Sequence, residues 1–139
     1  MILATVVDDG MGMTFNGRRQ SRDRILQQRI LRLADGKTLW MNDYSRGLFQ
    51  DKYENVRIRT DGNFLRKADA GDICFNETES LSSVEDKIEK LVLFRWNRSY
   101  PSDTKFDIDL NDGLWCMEST EDFAGSSHER ITMEVYARG

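Results

Sequence analysis

The chain has 139 residues, 39% hydrophobic, 32% charged and 10% aromatic, with a formal net charge of −4; this suits one domain over residues 1–139 with a real core and argues against a disordered chain. One histidine, His128, and two cysteines, Cys74 and Cys116, cannot furnish the four Cys/His ligands of a structural zinc site or the several histidines of a catalytic one, which excludes hydrolases and nucleases built on histidine-rich metal sites. No apolar run approaches the ~18–20 residues a membrane helix needs, and an acidic chain does not coat nucleic acid as a whole.

Ile2–Val7 is an apolar run rich in β-branched residues, the pattern of a strand buried on both faces. Asp8-Asp9 follow at once and no basic segment precedes the run, so it does not read as a secretory signal, and the cytoplasm is the expected location. The turn dipeptides Asp9-Gly10 and Asn16-Gly17 predict a loop over residues 9–17. Ser21-Arg22-Asp23 offers helix-start chemistry. Ile25, Leu26, Ile30, Leu31 and Leu33 then form a helical stripe with arginine on the opposite side, ended by Asp35-Gly36.

A short strand is predicted over 37–41 and a helical turn over 45–49. Residues 55–60 alternate Val56 and Ile58 against Arg57 and Arg59, which predicts a half-exposed strand, and Asp61-Gly62 is a turn. A short apolar strand follows over 73–75. Residues 82–89 read as a small helix opened by Ser82 or Ser83, with Glu85 near the capping-box position. Strands are predicted over 91–96, 115–119 and 131–136, the last two as an antiparallel pair separated by the polar segment 124–130. Strands that first alternate with helices and then turn antiparallel predict an α/β fold: a mixed, mostly parallel central sheet with a C-terminal antiparallel hairpin and flanking helices.

Chemistry-bearing motifs are few. There is no Walker A sequence and no G-x-G-x-x-G; Gly10-Met11-Gly12 continues wrongly. A Ser-His-Asp triad would have to use His128, which sits in a polar loop, and no G-x-S-x-G elbow surrounds any serine. Cys74 and Cys116 read as core thiols rather than a disulfide, and Trp40, Trp96 and Trp115 as core anchors. Charge is uneven: Arg18, Arg19, Arg22, Arg24, Arg29 and Arg32 crowd fifteen residues opposed only by Asp23, while acidic residues gather over 77–89 and 103–122. A local basic face on an acidic domain reads as an anion site or a docking surface.

The ordered succession of these segments resembles dihydrofolate reductase almost end to end, though shortened. The opening strand, Asp8 and Gly12-Met13-x-x-Asn16-Gly17 look like that family's first strand and active-site loop. Gly36-Lys37-Thr38-Leu39-Trp40-Met41 and Asn55-Val56-Arg57-Ile58-Arg59-Thr60 are similar to its second and third strands. Lys90-Leu91-x-Leu93 and Asp103-Thr104-x-Phe106 match it without a gap. Trp115, Phe123, Ser127-His128 and Thr132-x-Glu134-Val135-Tyr136-x-Arg138 resemble its closing hairpin.

The resemblance implies less about chemistry. Where the family has Gly-Arg-x-Thr to hold a phosphate of NADPH, this chain has Asn42, Asp43, Tyr44 and Ser45, and an aspartate there repels phosphate. The family's Gly-Gly pair after the fifth strand falls near Asn76-Glu77, which adds a second carboxylate. On the substrate side Asp23 is the acid nearest the start of the first helix, although it falls about one turn early. The threonine that hydrogen-bonds the pterin is replaced by Phe94, which cannot do so.

The leading expectation is therefore a dihydrofolate-reductase-like module with degenerate sites, binding or regulatory rather than catalytic, with no cofactor. Its partner is an unknown protein or small molecule met through Arg18, Arg19, Arg22 and Arg24. One alternative is a reductase of a pterin or related heterocycle that binds NADPH through Asn42, Ser45 and Arg59 and relays a proton through Asp23. A second has the 18–32 face recognise an anionic partner, nucleic acid or an acidic protein surface. Oligomeric state is open.

Overall fold

The computed structural model describes residues 1–49 and 53–139. In chain order these form β1 (Ile2–Val7), β2 (Gly12–Phe15), β3 (Arg18–Arg19), α1 (Arg24–Leu33), β4 (Thr38–Met41), α2 (Asp43–Arg46), β5 (Arg57–Thr60), α3 (Phe64–Lys67) and β6 (Ile73–Asn76). A 3-10 turn (Ser82–Lys87), β7 (Lys90–Arg95), β8 (Thr104–Lys105), β9 (Trp115–Phe123) and β10 (Ile131–Arg138) complete it. None of the described helices is long and apolar enough to cross a membrane.

The main sheet runs β5-β4-β6-β1-β7-β10-β9. Pairing is parallel from β5 through β7 and antiparallel for β7 with β10 and β10 with β9, as the sequence pattern predicts. β1 lies at the centre, with Leu3 opposite both Cys74 and Leu91. Successive side chains on a strand point to opposite faces, and the two cores follow that rule. Leu3, Cys74, Leu91 and Leu93 face one layer with Trp40, Phe64, Leu81 and Trp115. Ala4, Phe75, Val92 and Phe94 face the other, where Leu26 and Ile30 of α1 cover them. Trp40, Trp96 and Trp115 are all buried, as expected.

Three local expectations need correction. Residues 9–17 are not simply a loop, because β2 pairs with β3 around Asn16-Gly17, both at positive φ (52° and 72°). Two such residues are what a right-handed twisted hairpin needs between its strands, so the dipeptide marks a hairpin that four residues of strand were too short to announce. Secondly, Ser82–Lys87 is a 3-10 turn without a side-chain cap. Asp107 accepts from the Leu81 N–H at 2.8 Å and from the Ser80 hydroxyl, and Glu85 instead accepts from Trp115 Nε1 at 3.0 Å. Thirdly, Cys74 and Cys116 are both free, but only Cys74 is buried; Cys116 faces solvent on the edge strand β9. Burial pushes the Cys74 thiol up to about 12, so it behaves as an apolar core group.

Candidate functional site

α1 packs across the sheet so that its first turn, β1, β6 and the end of β7 enclose a narrow cleft. Val6, Met13, Leu26, Ile30, Phe75 and Trp96 wall it; Arg19 and Glu77 stand at one end, Ser21 and Asp23 at the other, and the cavity volume is about 20 Å³. That holds one water, whereas a small-molecule site usually offers ~300 Å³ or more.

The Glu77 end is a closed polar cluster. Glu77 is buried, and Arg19 grips its carboxylate with two donors, Nε to Oε2 at 2.9 Å and Nη2 to Oε1 at 3.0 Å. The Ser45 hydroxyl donates to Oε1 at 2.8 Å. The guanidinium lies 4.3 Å from the Tyr44 ring centroid, and the Arg19 N–H donates to the Tyr44 hydroxyl at 2.8 Å. Burial opposes the Arg19 charge, but Glu77 outweighs it and holds the guanidinium above its ordinary value. Asn42 caps α2, its Oδ1 accepting from the Ser45 N–H at 2.9 Å while its Nδ2 donates to Thr78 at 3.0 Å. Of the three residues expected to meet a cofactor, Asn42 and Ser45 are thus brought together and already engaged. Arg59 does not join them: it sits exposed on the edge strand β5, 5.0 Å over the Trp40 ring.

Asp23 organises the other end. It is the N-cap of α1, in extended conformation, and only 2% exposed. Its Oδ1 accepts from the N–H groups of Ile25 (2.9 Å), Leu26 (3.2 Å) and Ser126 (3.0 Å). Oδ2 accepts from the Ser127 N–H (2.9 Å) and from His128 Nδ1 (3.0 Å). The Ser126 and Ser127 hydroxyls add two further bonds. Burial alone would raise the Asp23 carboxyl, but these donors outweigh it and hold the group well below the usual carboxylate range. His128 is also buried; it stacks on Trp96 with ring centroids 4.4 Å apart, and its Nε2 lies 3.1 Å from both the Ser21 Oγ and the Tyr100 hydroxyl.

Sequence reading places His128 in a polar loop and misses this role, which only the long-range contact between residues 124–130 and the start of α1 creates. The available signal is Gly125: a methyl group there would collide with the Asp23 carboxylate, so the Gly125-Ser126-Ser127 backbone can close on the anion only without a side chain at its first position.

The expected partner surface divides. Arg18, Arg22 and Arg24 are exposed and make no ion pair among the described residues. Arg19 is not part of that surface, because Glu77 and Tyr44 draw it inward. Arg29 is engaged too, pairing with Glu121 at 2.6 Å and lying 4.2 Å over the Phe123 ring. Phe94 is fully buried behind α1, edge-to-face with Phe123 at 6.4 Å.

Strand order and the position of α1 define the dihydrofolate reductase fold. Among solved structures, the chain is similar to the dihydrofolate reductase from Enterococcus faecalis complexed with NADP(H) and RAB-propyl, with a TM-score of 0.67 at 13% identity over 99% of this chain and 96% of that one. At that identity the likeness establishes the fold alone. No protein-family model matches the chain, and no curated protein does.

Proposed function

We propose that this chain is a diverged, shortened dihydrofolate-reductase scaffold that has given up hydride transfer and works as a binding or regulatory module. The observation that carries the reading is the Glu77 carboxylate, held by Arg19 and Ser45 at the end of the cleft where the family resemblance implies a glycine pair and an approaching cofactor. A cation and a hydroxyl that could meet a phosphate are engaged with the chain's own anion, and the remaining cleft of about 20 Å³ is too small for a pterin ring. The alternative, an NADPH-dependent reductase with Asp23 as proton relay, has less support. A general acid needs a proton to give near neutral pH, and an ionised carboxylate surrounded by donors has none.

The test is thermal unfolding with NADPH and a dihydrofolate turnover assay. A ligand at a hundredfold excess over its dissociation constant stabilises by ~2.7 kcal/mol. The expected result is an unchanged melting temperature at millimolar NADPH and no cofactor oxidation. A saturable upward shift or steady turnover would restore the reductase reading.

The partner surface on this reading is Arg18, Arg22 and Arg24, whose guanidinium groups pair with no anion among the described residues and so remain available to an external one. Binding of a single-stranded oligonucleotide, used as a probe, is expected to weaken as salt rises, and the Arg22→Ala/Arg24→Ala pair should lower the salt slope by about two. Salt-independent binding, or none, removes this surface from the proposal.

A further inference from the structure

We infer that Ser21, His128 and Asp23 form a nucleophile, base and carboxylate in line, giving this chain a hydrolytic activity toward small esters that stands apart from the cofactor question above. The geometry is the starting point: Ser21 Oγ lies 3.1 Å from His128 Nε2, and His128 Nδ1 lies 3.0 Å from Asp23 Oδ2. An ionised carboxylate only accepts, so Nδ1 carries the imidazole proton and Nε2 presents its lone pair to the hydroxyls. That is the tautomer a general base for a serine hydroxyl requires, and the arrangement is recognised by geometry rather than by sequence order or an elbow motif.

Three features support more than a structural bond. The imidazole is clamped against Trp96, 4.4 Å between centroids, so its orientation is set before any substrate arrives. Asp23 is itself fixed by backbone N–H groups from two segments, α1 and the 124–130 loop, which makes it a positioning residue for His128. The backbone N–H of Arg22, the residue after the serine, has no acceptor among the described residues. In serine hydrolases an N–H at that position stabilises the oxyanion of the tetrahedral intermediate.

Ser21 lines the narrow cleft and His128 a neighbouring open surface with Asn97 and Arg98. An acyl group would therefore have to reach the serine from the edge of the open groove of about 460 Å³ beside it, which Tyr100, whose hydroxyl also reaches Nε2 at 3.1 Å, lines with Phe15, Arg18, Gln20 and Pro101. Phe15 is 44% exposed. An apolar ring beside a guanidinium suits an aryl ester. Ser21 Oγ adds to the carbonyl carbon as its proton passes to Nε2; the C–O bond to the leaving group breaks, and that oxygen takes the proton back from Nε2. Water then attacks the acyl-Ser21 ester by the same relay, releasing the carboxylic acid and regenerating the serine. Ester and water become acid and alcohol, with no redox change.

The experiment uses the full chain, phenylmethylsulfonyl fluoride and p-nitrophenyl acetate. Peptide mapping of the sulfonylated wild-type protein should place the adduct on Ser21. Hydrolysis of p-nitrophenyl acetate should continue beyond one equivalent, and Ser21→Ala and His128→Gln should each slow it by about a hundredfold or more. An adduct on Tyr100 or elsewhere, no adduct, a burst limited to one equivalent, or undiminished hydrolysis in a folded Ser21→Ala variant overturns the inference. The wild-type mapping decides the matter even if a variant fails to fold. NADPH takes no part in any arm, so failure here leaves the reading of the cofactor end untouched.

Discussion

Replacing Asp23 by alanine is expected to lower the free energy of unfolding by about 2–3 kcal/mol, from a lost helix cap and an unmet buried donor. The substitution withdraws the α1 cap, itself worth ~1 kcal/mol. It also removes the acceptor of the Ser126 and Ser127 N–H groups, which belong to exposed residues and can turn to water, and strands the His128 Nδ1–H, which is buried and whose unmet donor costs ~1–3 kcal/mol. These terms overlap, so they do not add. Asp23→Asn separates them. Asparagine keeps an oxygen for the Ile25, Leu26 and Ser126 N–H groups but sets an NH2 against the Ser127 N–H and His128. A good cap with the wrong second atom should recover only a minor part of the loss in urea unfolding. An alanine variant within ~1 kcal/mol of the parent would show that residues 124–130 are not tied to α1 through this carboxylate.

The same residue gives acid unfolding a sign. A carboxyl whose folded-state value lies below its unfolded value contributes stability that is complete above the unfolded value, near pH ~4, and is lost as pH falls through the folded one. Asp23 is displaced downward in this way. Stability of the parent should therefore fall more steeply between about pH 5 and 2 than that of Asp23→Asn, which has no proton to take up at this position.

How much of this was legible in the sequence depends on the range of the interaction. Continuous apolar strands such as Ile2–Val7 and the helical stripe of Leu26 and Ile30 announce themselves because burial on a sheet or one helix face imposes a period. The parallel-then-antiparallel order could be read from where helices stop intervening. Short β2 and β3 could not, since two to four residues carry too little period, and only Asn16-Gly17 marked their turn.

At the site, side-chain identity alone exposes Asp43 and Glu77 as carboxylates where the resemblance implies a phosphate and a glycine pair, and Phe94 as a ring where it implies a hydroxyl. It does not expose what neutralises Glu77. Arg19 reads as one more arginine in a basic run, and nothing within that run distinguishes the member that turns inward to Glu77, 58 positions away. His128 and Asp23 are 105 positions apart and meet only once the terminal hairpin has docked beside α1.

Glu77→Gln tests the cofactor end by removing the internal anion. Arg19 and Glu77 side chains are 18% and 8% exposed, so the pair is mostly shielded from solvent. Its rupture should cost about 2–3 kcal/mol, below the full buried-pair range because the guanidinium keeps some access to water and its stacking on Tyr44. The informative result is the response to added anion. In the variant Arg19 retains two donors that faced a carboxylate, and the Ser45 hydroxyl loses its charged acceptor. Phosphate or pyrophosphate should then bind and stabilise the folded state, by about 1.4 kcal/mol at tenfold excess over its dissociation constant. The parent, whose own carboxylate occupies those donors, should not respond beyond the general effect of salt. Equal responses in the two proteins would mean that Glu77 does not hold an anion's place. The reason offered for the proposed loss of dinucleotide binding would then fail, even if the cofactor still did not bind.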